Sequence, residues 1–180
     1  MTIVIILILL TVFTFWEIVL LLAIAVLPWR KAMKIAQYFE DKAIQKIFST
    51  LSFYGGFRPR VESRLGEALP ERFMVVSNHQ SLLDIVVIMR TLPPWAKARF
   101  VAKRELGYGI PLISLILRVS GHSLVRRKGD ALEAMRKVTR MAKRCRREGT
   151  IPVIFPEGTR SRTGALGRFH SAGYRKILEV

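Results

Sequence analysis

The feature that most constrains this chain is an almost uninterrupted apolar segment at its amino terminus. Of the first 27 residues, 23 are apolar, and the exceptions are Thr2, Thr11, Thr14 and Glu17. A helix over residues 3–27 would be about 40 Å long, which exceeds the bilayer's hydrocarbon thickness of about 30 Å. The segment therefore predicts a transmembrane helix. Because the Glu17 carboxylate is costly at the bilayer centre, a shallow or re-entrant anchor is the alternative.

The remainder of the chain is strongly basic. All 30 lysines and arginines lie from Arg30 onward, and the net charge of the whole chain is +17. Arg30, Lys31 and Lys34 follow the apolar segment directly, which by the positive-inside tendency places that end at the cytoplasmic face. We therefore expect the chain to lie at the inner (cytoplasmic) membrane, with its basic body on the cytoplasmic face. Membrane phospholipids are the expected partners, and no nucleic-acid partner is expected. The single cysteine, Cys145, excludes an internally disulfide-bonded secreted scaffold.

A pattern of apolar residues with helical spacing follows the apolar segment. Apolar residues recur every three or four positions over residues 30–54 and predict an amphipathic helix. This helix could lie at the water–lipid boundary or pack on the body of the protein. Gly55-Gly56 ends it. We therefore expect the chain to have two parts. Residues 1–54 form a membrane helix followed by an amphipathic helix, and residues 55–180 form a second domain.

From Phe57 onward, short apolar runs alternate with helical patterns. We predict strands at residues 73–76, 99–102, 123–125 and 151–155, and helices at residues 82–90, 111–119 and 130–148. Pro152 weakens the last strand prediction, because proline lacks a backbone N–H. The alternation favours an α/β fold with a mostly parallel central sheet flanked by helices. Ligands bind such sheets beyond the carboxyl ends of the strands, where two polar motifs occur.

The first motif is SNHQSLLD at residues 77–84. His79 is suited to take a proton near neutral pH, and Asp84 could accept a hydrogen bond from the other ring nitrogen. This geometry needs His79 in the strand–helix turn and Asp84 pointing back from the first helical turn. A structural alternative is a capping box, in which Ser81 caps the helix and Asp84 occupies its third position. A serine hydrolase using Ser77 or Ser81 is less consistent, since no G-x-S-x-G motif is present.

The second motif is FPEGTRS at residues 155–161. Its glycine would let the backbone approach a ligand closely, and an arginine beside hydroxyl groups is suited to bind a phosphate. The alternative is an ordinary polar turn with a surface arginine.

Taken together, the two motifs resemble those of the glycerolipid acyltransferase family, most closely the bacterial 1-acyl-sn-glycerol-3-phosphate (lysophosphatidic acid) acyltransferases. The family's NHxxxxD block, with its HX4D pattern, matches residues 78–84, and its FPEGTRS block matches residues 155–161. Between them, residues 103–106 resemble its KxEL stretch and residues 121–127 its GxxxxxR block. An apolar amino-terminal segment is also usual in this family.

The chain departs from the family pattern at three places. Arg126 stands where the family commonly has an acidic residue, and His170 follows Phe169 where a lysine is frequent. The family's last block would lie beyond Val180, so we expect residues 55–180 to lack the family's carboxyl-terminal part.

The resemblance implies transfer of a fatty acyl chain to the sn-2 hydroxyl of 1-acylglycerol 3-phosphate (lysophosphatidate), which gives phosphatidic acid in phospholipid biosynthesis. Acyl carrier protein or coenzyme A would carry the acyl group as a thioester co-substrate, and no cofactor is expected. His79 would remove the proton of the attacking hydroxyl while Asp84 holds the ring. The alternatives are another lysolipid acceptor or a non-catalytic, basic membrane-binding protein.

The chemistry of acyl transfer also suggests roles for further residues, which we give as hypotheses. The oxyanion candidates are Lys103, which could equally be a surface charge, and the backbone N–H of Gly158. Glu157 would orient Arg160 or the acceptor, or else form a simple salt bridge. No metal site is predicted, because the three histidines are dispersed. The basic helix over residues 126–147 would attract anionic headgroups or the acyl donor's carrier. The substrate-binding candidates, all in or beside the family's blocks, are Asn78, Arg127, Glu157, Gly158, Thr159, Arg160 and Ser161.

Overall fold

The computed structural model describes residues 2–62, 69–126, 130–161 and 163–180, with side chains described from residue 11 onward. Its elements in chain order are α1 (Thr2–Val26), α2 (Trp29–Tyr54), β1 (Val75–Val76), α3 (Leu83–Thr91), β2 (Ala98–Lys103), a 3₁₀ helix (Arg104–Gly107), α4 (Ile113–Val119), β3 (Ser123–Val125), α5 (Ala131–Glu148), β4 (Ile151–Ile154) and α6 (Ser171–Leu178). Every strand and helix predicted from the sequence has a counterpart, and α6 is an addition.

The four described strands form one parallel sheet in the order β1-β4-β2-β3. The predicted α/β fold with a parallel sheet is confirmed. β4 lies between β1 and β2, and Pro152 pairs with Arg99 of β2. The strand predicted over residues 151–155 is therefore confirmed, with Pro152 inside it. All four residues of β4 are buried, so apolar burial outweighs the hydrogen bond that proline cannot donate.

Helices cover both faces of the sheet. On one face, α5 and α6 pack through a cluster that includes Met141, Cys145 and Ile177 against Ile154 of β4. On the other face, α3 packs on Phe100 and Val153. Two buried faces explain why the strands read as continuous apolar runs rather than as alternating ones.

The amino-terminal helices pack on the body of the protein through α4. Leu20 of α1, Met33 and Ala36 of α2, and Leu115 and Ile116 of α4 belong to one buried cluster. The inner stripe of α2 is therefore used for packing, which was one of the two uses predicted for it. Large apolar side chains on the outer side of these helices remain exposed, and examples are Phe15, Leu22, Val26, Phe53 and Tyr54.

In the part of the chain that the structure describes, no helix combines the length and the apolar character needed to cross a bilayer. The transmembrane helix predicted over residues 3–27, whose first side chains lie outside the described part of the chain, is unconfirmed.

A buried polar network ties α2 to the sheet. Glu40 accepts a hydrogen bond from Nε2 of His122 at 2.6 Å and lies 3.8 Å from Nη1 of Arg99. Nδ1 of His122 in turn accepts a hydrogen bond from the backbone N–H of Phe100 in β2. The Arg99 side chain is 2% exposed and that of Glu40 is 11% exposed. Because water has little access to them, these polar groups are satisfied mainly by one another.

We expect Glu40→Ala to lower the free energy of unfolding by about 3 kcal/mol, because it leaves two buried groups without their acceptor. Asp41→Ala is the matched control. It removes a more exposed ion pair with Lys97 at the next position of α2 and should cost less than about 1 kcal/mol. Urea unfolding followed by circular dichroism measures both changes, and Glu40→Gln serves if the alanine variant does not fold. Equal losses in the Glu40 and Asp41 variants would contradict the role assigned to the network.

Candidate active site

The two motifs lie side by side because they follow neighbouring strands. β1 pairs with β4, and the backbone N–H of Ser77 donates to the carbonyl of Ile154, which extends the pairing past the strand ends. Further on, the backbone N–H of Ser161 donates to the carbonyl of His79 at 2.7 Å. Residues 77–80 and 157–161 are thus joined at the carboxyl edge of the sheet, where α/β folds bind their ligands.

The predicted hydrogen bond between His79 and Asp84 is present. Nδ1 of His79 lies 2.8 Å from Oδ2 of Asp84. The same oxygen accepts the backbone N–H groups of Gln80 and Ser81, and the hydroxyl of Ser81 accepts the N–H of Leu83. The contact from Ser81 to Asp84 is one half of a capping box, but the Ser81 hydroxyl accepts from Leu83 instead of Asp84, and the N-cap residue of α3 is Leu82. The two alternatives drawn from the sequence are therefore not exclusive, since one carboxylate begins α3 and holds the imidazole.

The His79 ring is held on a second side by an aromatic contact. It stacks on the ring of Phe155 with centroids 4.1 Å apart and planes 18° apart, and its side chain is 12% exposed. No described residue forms a hydrogen bond with its Nε2. Because Nδ1 is engaged by a carboxylate, Nε2 is the nitrogen that can exchange a proton with a bound substrate.

The carboxyl group of Asp84 is held in its ionised form. Partial burial raises its pKa, but hydrogen bonds from Ser81, His79 and Gln80, together with the charge of a protonated His79, outweigh that effect, so its pKa is below the ordinary value. An ionised carboxylate keeps the proton on Nδ1 of His79 and leaves Nε2 as the basic nitrogen.

Glu157 has a structural use that was not predicted from the sequence. Its side chain is buried, with Oε1 accepting the backbone N–H of His79 and Oε2 accepting that of Gly167, each at 3.0 Å. Among the described residues it forms no ion pair, so the expected salt bridge is absent and the carboxylate instead braces the His79 backbone. Gly167 permits this, because a Cβ atom there would lie 2.8 Å from Oε2 of Glu157. The sequence signal that could have pointed to it is the Gly164–Gly167 pair after the second motif.

The two oxyanion candidates are placed differently. The backbone N–H of Gly158 donates to the carbonyl of Phe155 within its own turn, so in this structure it is already engaged. Lys103 is the last residue of β2, and its exposed ammonium lies 3.9 Å from Glu105. Neither residue has a described contact with His79.

Apart from Arg127, the remaining substrate-binding candidates lie within the joined motifs. Asn78, Thr159 and Arg160 are exposed, and Arg160 directly precedes the Ser161 N–H that contacts His79. The hydroxyl of Ser161 donates to the carbonyl of Ala165, so it helps to fold the following loop back. Arg127 lies outside the described residues. The structure thus brings the residues at positions 79, 84 and 157–161 together, while Lys103 stands two strands away from β1.

We expect Asp84→Asn to flatten the acid end of the stability profile. Because the pKa of Asp84 is lower in the folded chain than in the unfolded one, its ionised carboxylate stabilises the fold fully above about pH 5. That contribution is lost as the pH falls through the folded-state pKa. Urea unfolding over a pH series should therefore show a difference between wild type and variant that shrinks below about pH 4. Parallel curves would contradict the assigned pKa direction.

Comparison with known proteins identifies relatives of this chain. Human 1-acyl-sn-glycerol-3-phosphate acyltransferase beta is 37% identical over 129 residues, which are 71% of this chain and 44% of that protein. The 1-acyl-sn-glycerol-3-phosphate acyltransferase of Saccharomyces cerevisiae is 32% identical over 114 residues, which are 58% of this chain and 36% of that protein. The chain spans less than half the length of these relatives. No solved structure matches it significantly.

The family match covers both motifs and the whole sheet. Residues 60–179 match the family described as Acyltransferase, a range that runs from before β1 to the last turn of the chain. The family expected from the HX4D and FPEGTRS blocks is thereby confirmed. This chain belongs to the Acyltransferase family.

Proposed function

We propose that this chain transfers a fatty acyl group from a thioester to the sn-2 hydroxyl of 1-acyl-sn-glycerol 3-phosphate. The products are phosphatidic acid and a free thiol. The observation that carries the proposal is the hydrogen bond from His79 to Asp84 at the carboxyl edge of the sheet, beside the second motif. Membership of the family and the names of the matched relatives support the choice of acceptor.

The reaction begins with proton removal at Nε2 of His79. As the acceptor's hydroxyl oxygen attacks the thioester carbonyl, its proton passes to Nε2 and a C–O bond forms. Collapse of the tetrahedral intermediate breaks the C–S bond, and the proton on His79 goes to the departing sulfur. General-base assistance of this kind contributes roughly 10²–10⁴-fold to a rate. Asp84 stabilises the imidazolium that exists between the two proton transfers.

The developing negative charge and the acceptor's phosphate need donors. We assign binding of the acceptor's phosphate to Arg160, an exposed arginine of the second motif. Thr159 and Ser161 are neighbouring hydroxyl donors, and Arg127 is a second cation. Lys103 is the remaining oxyanion candidate, since the N–H of Gly158 would first have to leave its turn.

The acceptor is a lipid, so we further propose that the chain works at the cytoplasmic face of the inner membrane. Support comes from the exposed apolar side chains of α1 and α2, such as Phe15, Leu22 and Phe53, which would enter the acyl region of one leaflet. The net charge of +17 would add attraction to anionic headgroups.

We expect His79→Ala to lower acyl transfer to lysophosphatidate by about 100-fold or more, because the hydroxyl loses its base. The measurement follows radiolabelled acyl transfer from acyl carrier protein or coenzyme A thioesters to a panel of lysolipids. His170→Ala is the matched control, since that side chain is exposed and lies outside the described hydrogen bonds. Cosedimentation with membranes should be unchanged in both variants, and full turnover by His79→Ala would overturn the proposed base.

We expect Arg160→Ala to raise the KM for lysophosphatidate about tenfold or more with a smaller change in kcat, because a phosphate contact is made in both the ground and transition states. Arg168→Ala, an exposed arginine of the same loop, is the control. An effect confined to the KM of the acyl donor would show that the phosphate is bound elsewhere.

A further inference from the structure

A basic cavity lies at the sheet edge remote from His79. β3 is one edge strand and β1 is the other. The cavity has a volume of about 390 Å³ and lies between β3, α4 and α5. Its lining includes Arg104, Arg118, Gly121, Ser123, Arg140 and Arg144, and contains no residue of the two motifs at positions 77–84 and 155–161.

The positive charge around this cavity is not compensated. Among the described residues, none of the four lining arginines forms an ion pair. Glu133 is itself part of the lining and pairs with the lining residue Lys137 at 2.8 Å, and the nearby Glu40 accepts from His122. The lining therefore keeps an excess of positive charge, with four arginines and one lysine against one carboxylate. Several like charges around a concave surface repel one another and focus a positive potential into it. A bound anion would relieve that repulsion.

Buried donors without partners lie in the lining of the cavity, at Ser123, and next to the lining residue Gly121, at Arg99. Ser123 lines it, is 4% exposed, and its hydroxyl has no hydrogen-bond partner among the described residues. Nε and Nη2 of Arg99, a side chain that is 2% exposed, also lack partners. Because buried polar groups are almost always satisfied, these donors point to a ligand that accepts hydrogen bonds.

Gly121 lets two of these arginines approach the same point. A Cβ atom at this position would lie 3.2 Å from Nη1 of Arg144 and 3.7 Å from Nε of Arg99. Its φ of +93° is also a conformation that other residues rarely adopt. The absence of a side chain at Gly121 therefore leaves the guanidinium of Arg144 above the buried one of Arg99.

We propose that this cavity binds the phosphate groups of a small, multiply phosphorylated ligand, which in the proposed reaction is the nucleotide end of a coenzyme A thioester. The identity of the ligand rests on the proposed function, whereas the anion site rests on the geometry alone. Four uncompensated arginines match a ligand with more than one phosphate. Acyl carrier protein is the less suitable donor for this cavity, because the surface of a folded protein cannot reach a hydroxyl as deeply buried as that of Ser123.

The position of the cavity is compatible with the chemistry at His79. β3 is three strand positions from β1, which corresponds to a lateral distance of about 14 Å at the usual strand spacing. A coenzyme A thioester carries its reactive carbonyl at the far end of an extended pantetheine arm. Its phosphates can therefore bind at one edge of the sheet while the thioester reaches the other.

The test is calorimetric titration of the full chain, in neutral detergent micelles, with adenosine 3′,5′-bisphosphate. Wild type should bind, and Arg144→Gln and Arg118→Gln should each weaken binding about tenfold or more through loss of a charge-assisted contact. Arg136→Gln, an exposed charge of α5 outside the cavity, is the matched control and should bind as wild type does. Thermal unfolding confirms that all three variants fold.

The outcomes separate this site from the proposed function. If wild type binds the bisphosphate but transfers no acyl group to lysophosphatidate, the site stands and the function falls. If Arg144→Gln binds the bisphosphate as tightly as wild type does, or if Arg136→Gln loses as much affinity as Arg144→Gln and Arg118→Gln, the site is overturned. If bisphosphate binding behaves as expected but Arg144→Gln keeps a wild-type KM for acyl coenzyme A, the assignment of the ligand as coenzyme A is overturned. Loss of acyl carrier protein binding in Arg144→Gln, with no bisphosphate binding by wild type, would also overturn the site.

Discussion

The parallel pairing of β1 with β4 is the interaction on which the candidate site depends. Val75 and Val76 lie opposite Val153 and Ile154, so the chain leaves both strands at the same edge of the sheet. Two motifs that are far apart in sequence then form two hydrogen bonds at His79. Its backbone N–H donates to the side-chain carboxylate of Glu157, and its carbonyl accepts from the backbone N–H of Ser161. The imidazole is therefore positioned by the main chain as well as by its own contacts.

Two carboxylates, those of Asp84 and Glu157, also hold the backbone around His79. Oδ2 of Asp84 accepts from two backbone N–H groups in addition to the His79 ring, and both oxygens of Glu157 accept backbone N–H groups. Each carboxylate fixes a turn that would otherwise leave buried donors unsatisfied. Rigid supporting contacts of this kind hold a catalytic group close to its productive geometry.

The local parts of this arrangement could be predicted from the sequence. Apolar periodicity indicated the strands and helices that follow Phe57, and the spacing from His79 to Asp84 indicated their hydrogen bond. The roles of Glu157 and Gly158 could not be predicted, because which N–H a carboxylate accepts depends on the loop that folds over it, here at Gly167. The central position of β4 in the sheet could not be predicted either. How deeply Pro152 is buried depends on which strands lie next to β4.

The sequence by itself determined the family's motifs, the alternation of strands and helices, the apolar amino terminus and the excess of positive charge. These are local or compositional properties, which neighbouring residues specify through periodicity and turn chemistry. Only the tertiary structure decided that Glu40 of α2 binds His122, and that Arg99 and Arg144 come together at Gly121. Such contacts join residues that are distant along the chain, and they exist only because the strand order and helix packing bring their backbones together.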